Sequence, residues 1–163
     1  MRGQGARSTL IAVLAAIGMS AAWPAAGHGT AARATAPVSG EEPPPAFFRV
    51  CSKCHDGGRI VESRRMREQW EETLEKMVAK GATGSDEDFD AILFYLISEF
   101  GRVNVNTATA EDIAVVLHLE PKDADAIVRF RNEHGKFGDF DALKKVPGIP
   151  VDSLAMLRDA ILF

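Results

Sequence analysis

The chain has 163 residues and a formal net charge of −4, enough for one medium domain or two small ones. Residues 1–40 hold three arginines and no acidic residue, whereas residues 41–163 hold 16 basic and 23 acidic side chains. The net negative charge of residues 41–163 argues against a general nucleic-acid-binding protein, because such proteins bind phosphates through a cationic surface.

The first segment has the pattern of an export signal. Arg2 and Arg7 precede an almost unbroken apolar run over residues 10–22, and small residues follow it. The run is short for a membrane span, and a proline interrupts its end. We therefore predict a signal peptide over residues 1–26 and a periplasmic or otherwise exported protein. Membrane anchoring through an uncleaved segment is the alternative.

A tether is predicted to follow the signal peptide. Residues 27–45 are rich in alanine, glycine, proline, threonine and serine, and they end in three consecutive prolines. Such a composition favours an extended linker.

Both cysteines of the chain lie in the pentapeptide CSKCH, residues 51–55. A disulfide between Cys51 and Cys54 would close a very short loop and give little entropic stabilisation. A thioredoxin-like redox pair would need a preceding strand, which the pattern does not predict. A zinc site would need two more ligands at set spacing, and the other histidines are scattered.

The whole pentapeptide matches Cys-x-x-Cys-His, the attachment signature of c-type haem. It predicts one covalently attached haem, with thioethers to Cys51 and Cys54 and with His55 as the proximal iron ligand. Residues 46–101 are too few to bury a large core alone, and a porphyrin would complete that core.

A methionine is the predicted sixth ligand. The apolar residues between positions 67 and 80 recur at helical spacing, which places Met77 on the buried stripe of an amphipathic helix. A methionine there is otherwise ordinary core filler, but a thioether is a common axial partner of histidine on haem iron. Met66 is the second candidate, and an open or water-bound iron is the third possibility.

A second helix is predicted after Ser85, whose hydroxyl and following acids form an N-terminal cap, and Gly101 ends it.

Three arginines precede these helices. Arg59, Arg64 and Arg65 either meet the haem propionates or form a solvated basic face.

Residues 51–101, CSKCHDGGRIVESRRMREQWEETLEKMVAKGATGSDEDFDAILFYLISEFG, resemble a small class of bacterial c-type cytochrome domains. The shared pattern is CxxCH, an arginine-rich segment, W-x6-M-x3-G and a helix with a Tyr-Leu pair. The resemblance implies a small helical haem domain with thioethers at Cys51 and Cys54 and iron ligands His55 and Met77.

The second half, residues 103–163, repeats internally at an offset of 30. The first copy contains Ile113, Val116, His118, Leu119, Asp123, Ala124 and Ile127, and the second contains Leu143, Val146, Gly148, Ile149, Ser153, Leu154 and Leu157. The stretches VNVNTATAEDI and AIVRFRNEHGKFGDFDALKKVPGI resemble the tandem helix-hairpin-helix domain of the competence DNA-receptor (ComEA-like) family. That resemblance implies DNA binding.

The hairpin turns depart from the pattern expected of phosphate binding. His118 and Glu120 replace both glycines of the first turn, and in the second turn Gly148 is kept but Pro150 replaces the other glycine, which removes one donor. With 7 basic and 10 acidic residues in this half, Lys144 and Lys145 form only a small cationic spot.

The sequence as a whole therefore predicts an all-α protein, with a small cytochrome c fold over residues 46–101 and a tandem helix-hairpin-helix domain over residues 103–163. The predicted function is single-electron transfer between redox partner proteins, without catalysis, and with the second domain used for docking. One alternative is a haem-containing DNA-binding or uptake module of the ComEA type. Another is a sensor or enzyme with five-coordinate iron.

Overall fold

The computed structural model of the protein describes residues 37–56 and 63–163. The predicted signal peptide, the first part of the predicted tether and Arg59 lie outside these residues. All of the described residues belong to one compact unit. None of their helices is long and apolar enough to cross a membrane.

The first helix, α1 (Pro45–Cys51), begins with a proline. A proline is tolerated there because the first helical N–H has no intrahelical acceptor. Phe47 and Val50 are buried, and the ring of Phe47 packs edge-on against Tyr95 at 5.7 Å between centroids. Both cysteines thus come at the end of α1 or in the turn that follows.

Two longer helices follow, and the second of them packs against both α1 and the first. Helix α2 (Arg67–Ala79) buries Trp70, and α3 (Asp86–Phe100) buries most of its second half. The Ser85 hydroxyl accepts a hydrogen bond from the Asp88 N–H, as the capping pattern predicts. The periodic apolar residues therefore predicted both helices to within about one residue of their ends.

Residues 37–44, the described part of the predicted tether, lie against the end of α3. The fully buried carboxylate of Glu99 accepts hydrogen bonds from the Ser39 N–H (2.9 Å), the Ser39 hydroxyl (2.5 Å) and the Gly40 N–H (3.1 Å). A buried carboxylate needs such donors to offset its desolvation. This part of the chain is held in place by Glu99.

A short backbone pairing holds the segment that connects the two halves. The Arg65 N–H donates to the Phe100 carbonyl (3.0 Å), and the Arg102 N–H donates to the Arg65 carbonyl (2.8 Å). A β-carbon on Gly101 would lie only 2.1 Å from the Ile97 carbonyl oxygen. Glycine is therefore required where α3 ends and the second half begins.

The second half contains two helical hairpins. The first consists of α4 (Ala110–Leu117) and α5 (Pro121–His134), and the second of α6 (Phe140–Leu143) and α7 (Val151–Met156). The hairpins begin 30 residues apart, as the internal repeat predicts. The Thr109 hydroxyl caps α4 by accepting from the Asp112 N–H (3.1 Å).

A small parallel pairing closes the hairpin domain. Strand β1 (Val103–Asn104) pairs with β2 (Ile161–Leu162), which follows a 3-10 turn over Arg158–Ala160. The sequence did not predict these strands, because two residues are too few to show a period-2 pattern. The mostly helical class is confirmed, whereas the cytochrome fold of residues 46–101 stays a prediction.

We expect Gly101→Ala to lower the free energy of unfolding by about 2 kcal/mol or more, because the added methyl group meets a backbone oxygen that cannot move aside. Gly138→Ala is the matched control, since a β-carbon there would meet nothing within 4 Å. It should change the free energy by less than about 1 kcal/mol. Chemical denaturation measures both, and equal effects would contradict the predicted clash.

Candidate functional site

The turn of the first hairpin faces α3. His118 ends α4 in the left-handed conformation, with φ +48°. Its Nε2 lies 3.1 Å from the Ser98 carbonyl oxygen and 3.9 Å from a carboxylate oxygen of Glu99. The carbonyl can only accept, so a hydrogen bond there needs the proton on Nε2. The His118 side chain is therefore used in packing the two halves together.

The turn of the second hairpin faces solvent. Gly148 is exposed, has φ +84°, and a β-carbon there would meet nothing within 4 Å. Ile149 beside it is buried in the hairpin core, which fixes the turn. A ligand can approach the backbone closely at such a glycine.

Two lysines lie just before this turn, and both are exposed. Lys144 forms an ion pair with Asp141 at 2.5 Å, and its hydrogen bond holds the pKa of that carboxyl below its usual value. Lys145 has no carboxylate within 4.0 Å among the residues that the structure describes. The turn thus combines an accessible backbone with a free cation.

Other polar residues of the hairpin domain serve the fold. Arg131 donates to the carbonyls of Val105 (2.6 Å) and Ala108 (2.8 Å). Asn106 exchanges two hydrogen bonds with the backbone of Phe137, at 2.7 and 2.9 Å. The sequence alone does not identify these roles, because each bond links residues more than 20 positions apart.

A cavity of about 360 Å³ lies between α1, α2 and α3. Cys51, Cys54, His55 and Met77 all line it, so the structure brings the four residues of the predicted haem site together. Met66 is not among the described lining residues; it forms the N-terminal end of α2.

The remaining wall of this cavity is mostly apolar, with two cations and a hydroxyl. Its members are Val50, Arg65, Trp70, Thr73, Leu74, Lys80, Ala82, Phe89 and Leu96. The volume and the mostly apolar lining are within the range found for small-molecule sites.

The cysteines are free thiols in this structure. Burial raises the pKa of the Cys51 thiol, which lowers its thiolate fraction and its reactivity. That shift is opposite to the one an activated redox pair needs. Among residues 37–56 and 63–163, no three His, Cys, Asp or Glu side chains converge as a metal cluster.

The imidazole of His55 is exposed at the edge of the cavity. Its Nδ1 lies 3.0 Å from the Asp56 carbonyl oxygen. In the neutral tautomer with its proton on Nδ1, the ring donates to that oxygen and Nε2 has a free lone pair that can bind a metal.

The three arginines considered from the sequence have different positions. Arg64 is buried at the junction of the halves, where it donates to the Glu99 carbonyl (2.9 Å) and to Asp159 (3.1 Å). Arg65 lines the cavity. Arg59 lies outside the described residues.

Known proteins match the second half of the chain. Residues 98–162 match the family model described as the helix-hairpin-helix motif. An uncharacterized protein of Haemophilus influenzae is 41% identical over 63 residues, which are 38% of this chain and 56% of that protein. ComE operon protein 1 of Bacillus subtilis is 36% identical over 59 residues, covering 36% of this chain and 29% of the relative.

A human protein, endonuclease/exonuclease/phosphatase family domain-containing protein 1, is 40% identical over 60 residues, or 37% of this chain and 10% of its own length. The chain thus spans little more than half of the first relative and less than a third of the other two. No solved structure matches significantly.

These matches correct the functional prediction. The interpretation of the chain as a cytochrome that transfers electrons between redox partner proteins is wrong, because the matches are to a helix-hairpin-helix family and a ComE protein. Haem, iron and electron transfer gain no support from them. Short motifs such as CxxCH and W-x6-M-x3-G predict function less reliably than a repeat that extends over some 60 residues.

The preference for protein docking over DNA also needs revision. It relied on the departures of the hairpin turns from the phosphate-binding pattern and on the net charge of the second half, which is an average and does not report where the cations lie. The resemblance to ComEA-like proteins is supported by the match to ComE operon protein 1. Residues 98–162 form a helix-hairpin-helix domain similar to the corresponding region of that protein.

Proposed function

We propose that the chain is an exported, non-catalytic DNA-binding module of the ComEA type that acts in DNA uptake. The main support is the helix-hairpin-helix match over residues 98–162 together with the similarity to ComE operon protein 1. The ComEA-like family binds DNA, and an exported receptor agrees with the signal peptide predicted over residues 1–26.

The second hairpin turn is the part of the surface best suited to DNA. At Gly148 a phosphate can approach the backbone without meeting a side chain. Lys144 and Lys145 supply the positive charge that phosphate contacts require. Contacts of this kind position a protein on the duplex without reading its sequence. The proposed binding is therefore independent of base sequence.

The first hairpin turn should contribute little. His118 is directed to α3, and the exposed carboxylate of Glu120 stands at the start of α5. A negative charge there repels phosphate. With about two lysine contacts, the logarithm of the binding constant should fall with the logarithm of salt concentration with a slope near −2.

Charge reversal at the second turn tests this proposal. We expect the double variant Lys144→Glu, Lys145→Glu to weaken binding to a fluorescent duplex by at least about tenfold at low salt, because each change replaces an attraction with a repulsion. Fluorescence anisotropy measures the affinity.

The matched control is Lys76→Glu, Lys136→Glu, which makes the same change in net charge at exposed positions away from the turn. It should weaken binding by less than about threefold. Equal losses in both double variants would indicate general charge steering instead of a site at the second turn. Absence of any duplex binding by the wild-type chain would refute DNA binding.

We propose in addition that the cavity between α1, α2 and α3 holds one covalently attached haem, independently of any electron transfer between proteins. Cys51 and Cys54 would form the thioethers, and His55, through Nε2, and Met77 would be the residues that hold the iron. The proposal is supported by the lining of one largely apolar cavity by all four residues. When bound, the haem would supply a redox-active iron.

Covalent attachment has a direct test. The chain is exported to the periplasm of a host that matures c-type cytochromes. After denaturing electrophoresis it should still stain for haem, and its mass should have increased by one haem. Cys51→Ser, Cys54→Ser should remove the stain, because no thioether can form. A mature wild-type chain without added mass would rule out this cofactor.

The sixth ligand is tested in the same material. Met77→Ala should keep the stain but let the reduced iron bind carbon monoxide, since the position opposite His55 becomes free. Met66→Ala is the control and should leave the spectrum unchanged. Carbon monoxide binding to the wild-type chain as strong as to Met77→Ala would exclude Met77 as the ligand.

A further inference from the structure

We infer that Arg65 is the receptor for a carboxylate of the molecule that occupies the cavity between α1, α2 and α3. The inference rests on the proposed haem, whose porphyrin has an apolar planar body and two propionate groups. It assigns to Arg65 a role in orienting that porphyrin.

The backbone of Arg65 is fixed on both sides. Its N–H donates to the Phe100 carbonyl at 3.0 Å, and its carbonyl accepts from the Arg102 N–H at 2.8 Å. These bonds form an isolated parallel bridge between Arg65 and Gly101. The side chain therefore starts from a point held firmly at the junction of the two halves.

The guanidinium is fixed as well. One Nη donates to the Thr73 hydroxyl at 2.8 Å, and that hydroxyl in turn donates to the Gln69 carbonyl at 2.7 Å. The guanidinium also lies over the ring of buried Trp70, with its carbon 5.1 Å from the ring centroid. Hydrogen bonding and cation–π contact together set its orientation in the cavity wall.

Among the described residues, no carboxylate oxygen lies within 4.0 Å of a guanidinium nitrogen of Arg65. Its neighbours differ: Arg64 pairs with Asp159 at 3.1 Å and Arg67 with Asp112 at 2.6 Å. Glu72, a nearby acid, pairs with Lys76 at 2.7 Å. Arg65 acts on Glu72 only at longer range, where it helps to lower the pKa of that carboxyl. Among the described residues Arg65 is thus a half-buried, positioned cation that no carboxylate contacts, and such a group can bind an anion supplied by a ligand.

The rest of the cavity explains why the anion should belong to a larger ligand. Leu74, Phe89 and Leu96 give the wall an apolar surface, and Lys80 is a second cation on it. A porphyrin satisfies both requirements, because its ring fills the apolar part and a propionate can form a two-pronged hydrogen bond with a guanidinium.

Two porphyrins that differ only at the propionates test the inference. The full-length chain carrying Cys51→Ser, Cys54→Ser is titrated with haemin and with haemin dimethyl ester, and the visible absorbance reports binding. We expect Arg65→Gln to weaken haemin binding by about tenfold, the usual size for one charged hydrogen bond. Binding of the ester should change by less than twofold.

Arg64→Gln is the matched control, because Arg64 faces the junction and is not among the cavity-lining residues. It should lower stability without changing the ratio of the two affinities. Equal weakening of haemin and ester by Arg65→Gln would show a structural role and overturn the inference. If neither porphyrin binds the chain with Arg65 intact, the cofactor proposal fails and this inference with it.

Discussion

The last turn of α3 is the joint on which the rest of the structure depends. The final carbonyls of a helix have no intrahelical donors, and here they bind groups from distant parts of the chain. The Ser98 carbonyl meets His118, the Glu99 carbonyl accepts from Arg64, and the Phe100 carbonyl accepts from Trp70 and from the Arg65 N–H. The contact with His118 thereby connects the second half to the end of α3, and the other three bonds hold Arg64, Arg65 and Trp70 of the first half against the same helix end.

Because only the first hairpin packs on this helix end, the two hairpins have different roles. The first hairpin turn, which in a DNA-binding domain would meet a phosphate, packs on α3 through His118. The second turn has no such contact and keeps its glycine in solvent. One hairpin is therefore structural, and the surface proposed for DNA lies on the other. The side chains of Arg64 and Arg65 show the same division, since that of Arg64 binds the end of α3 and that of Arg65 lines the cavity.

Local patterns in the sequence predicted much of the fold. Helices α2 and α3, the caps at Ser85 and Thr109 and the 30-residue repeat follow from periodicity and capping chemistry, which act over a few residues. The gathering of Cys51, Cys54, His55 and Met77 at one cavity also agrees with the spacing of the motif. The β1–β2 pairing and the burial of Glu99 were not predictable, because their partners lie about 60 residues away.

The buried carboxylate of Glu99 also determines how the molecule would carry a mechanical load. Because Ser39 and Gly40 are bound to it, tension applied to the N-terminal end would be borne first at the centre of the molecule, ahead of α1. Tension between this end and the second hairpin would then be resisted by the contacts between the two halves. Those contacts would set the force at which the molecule yields.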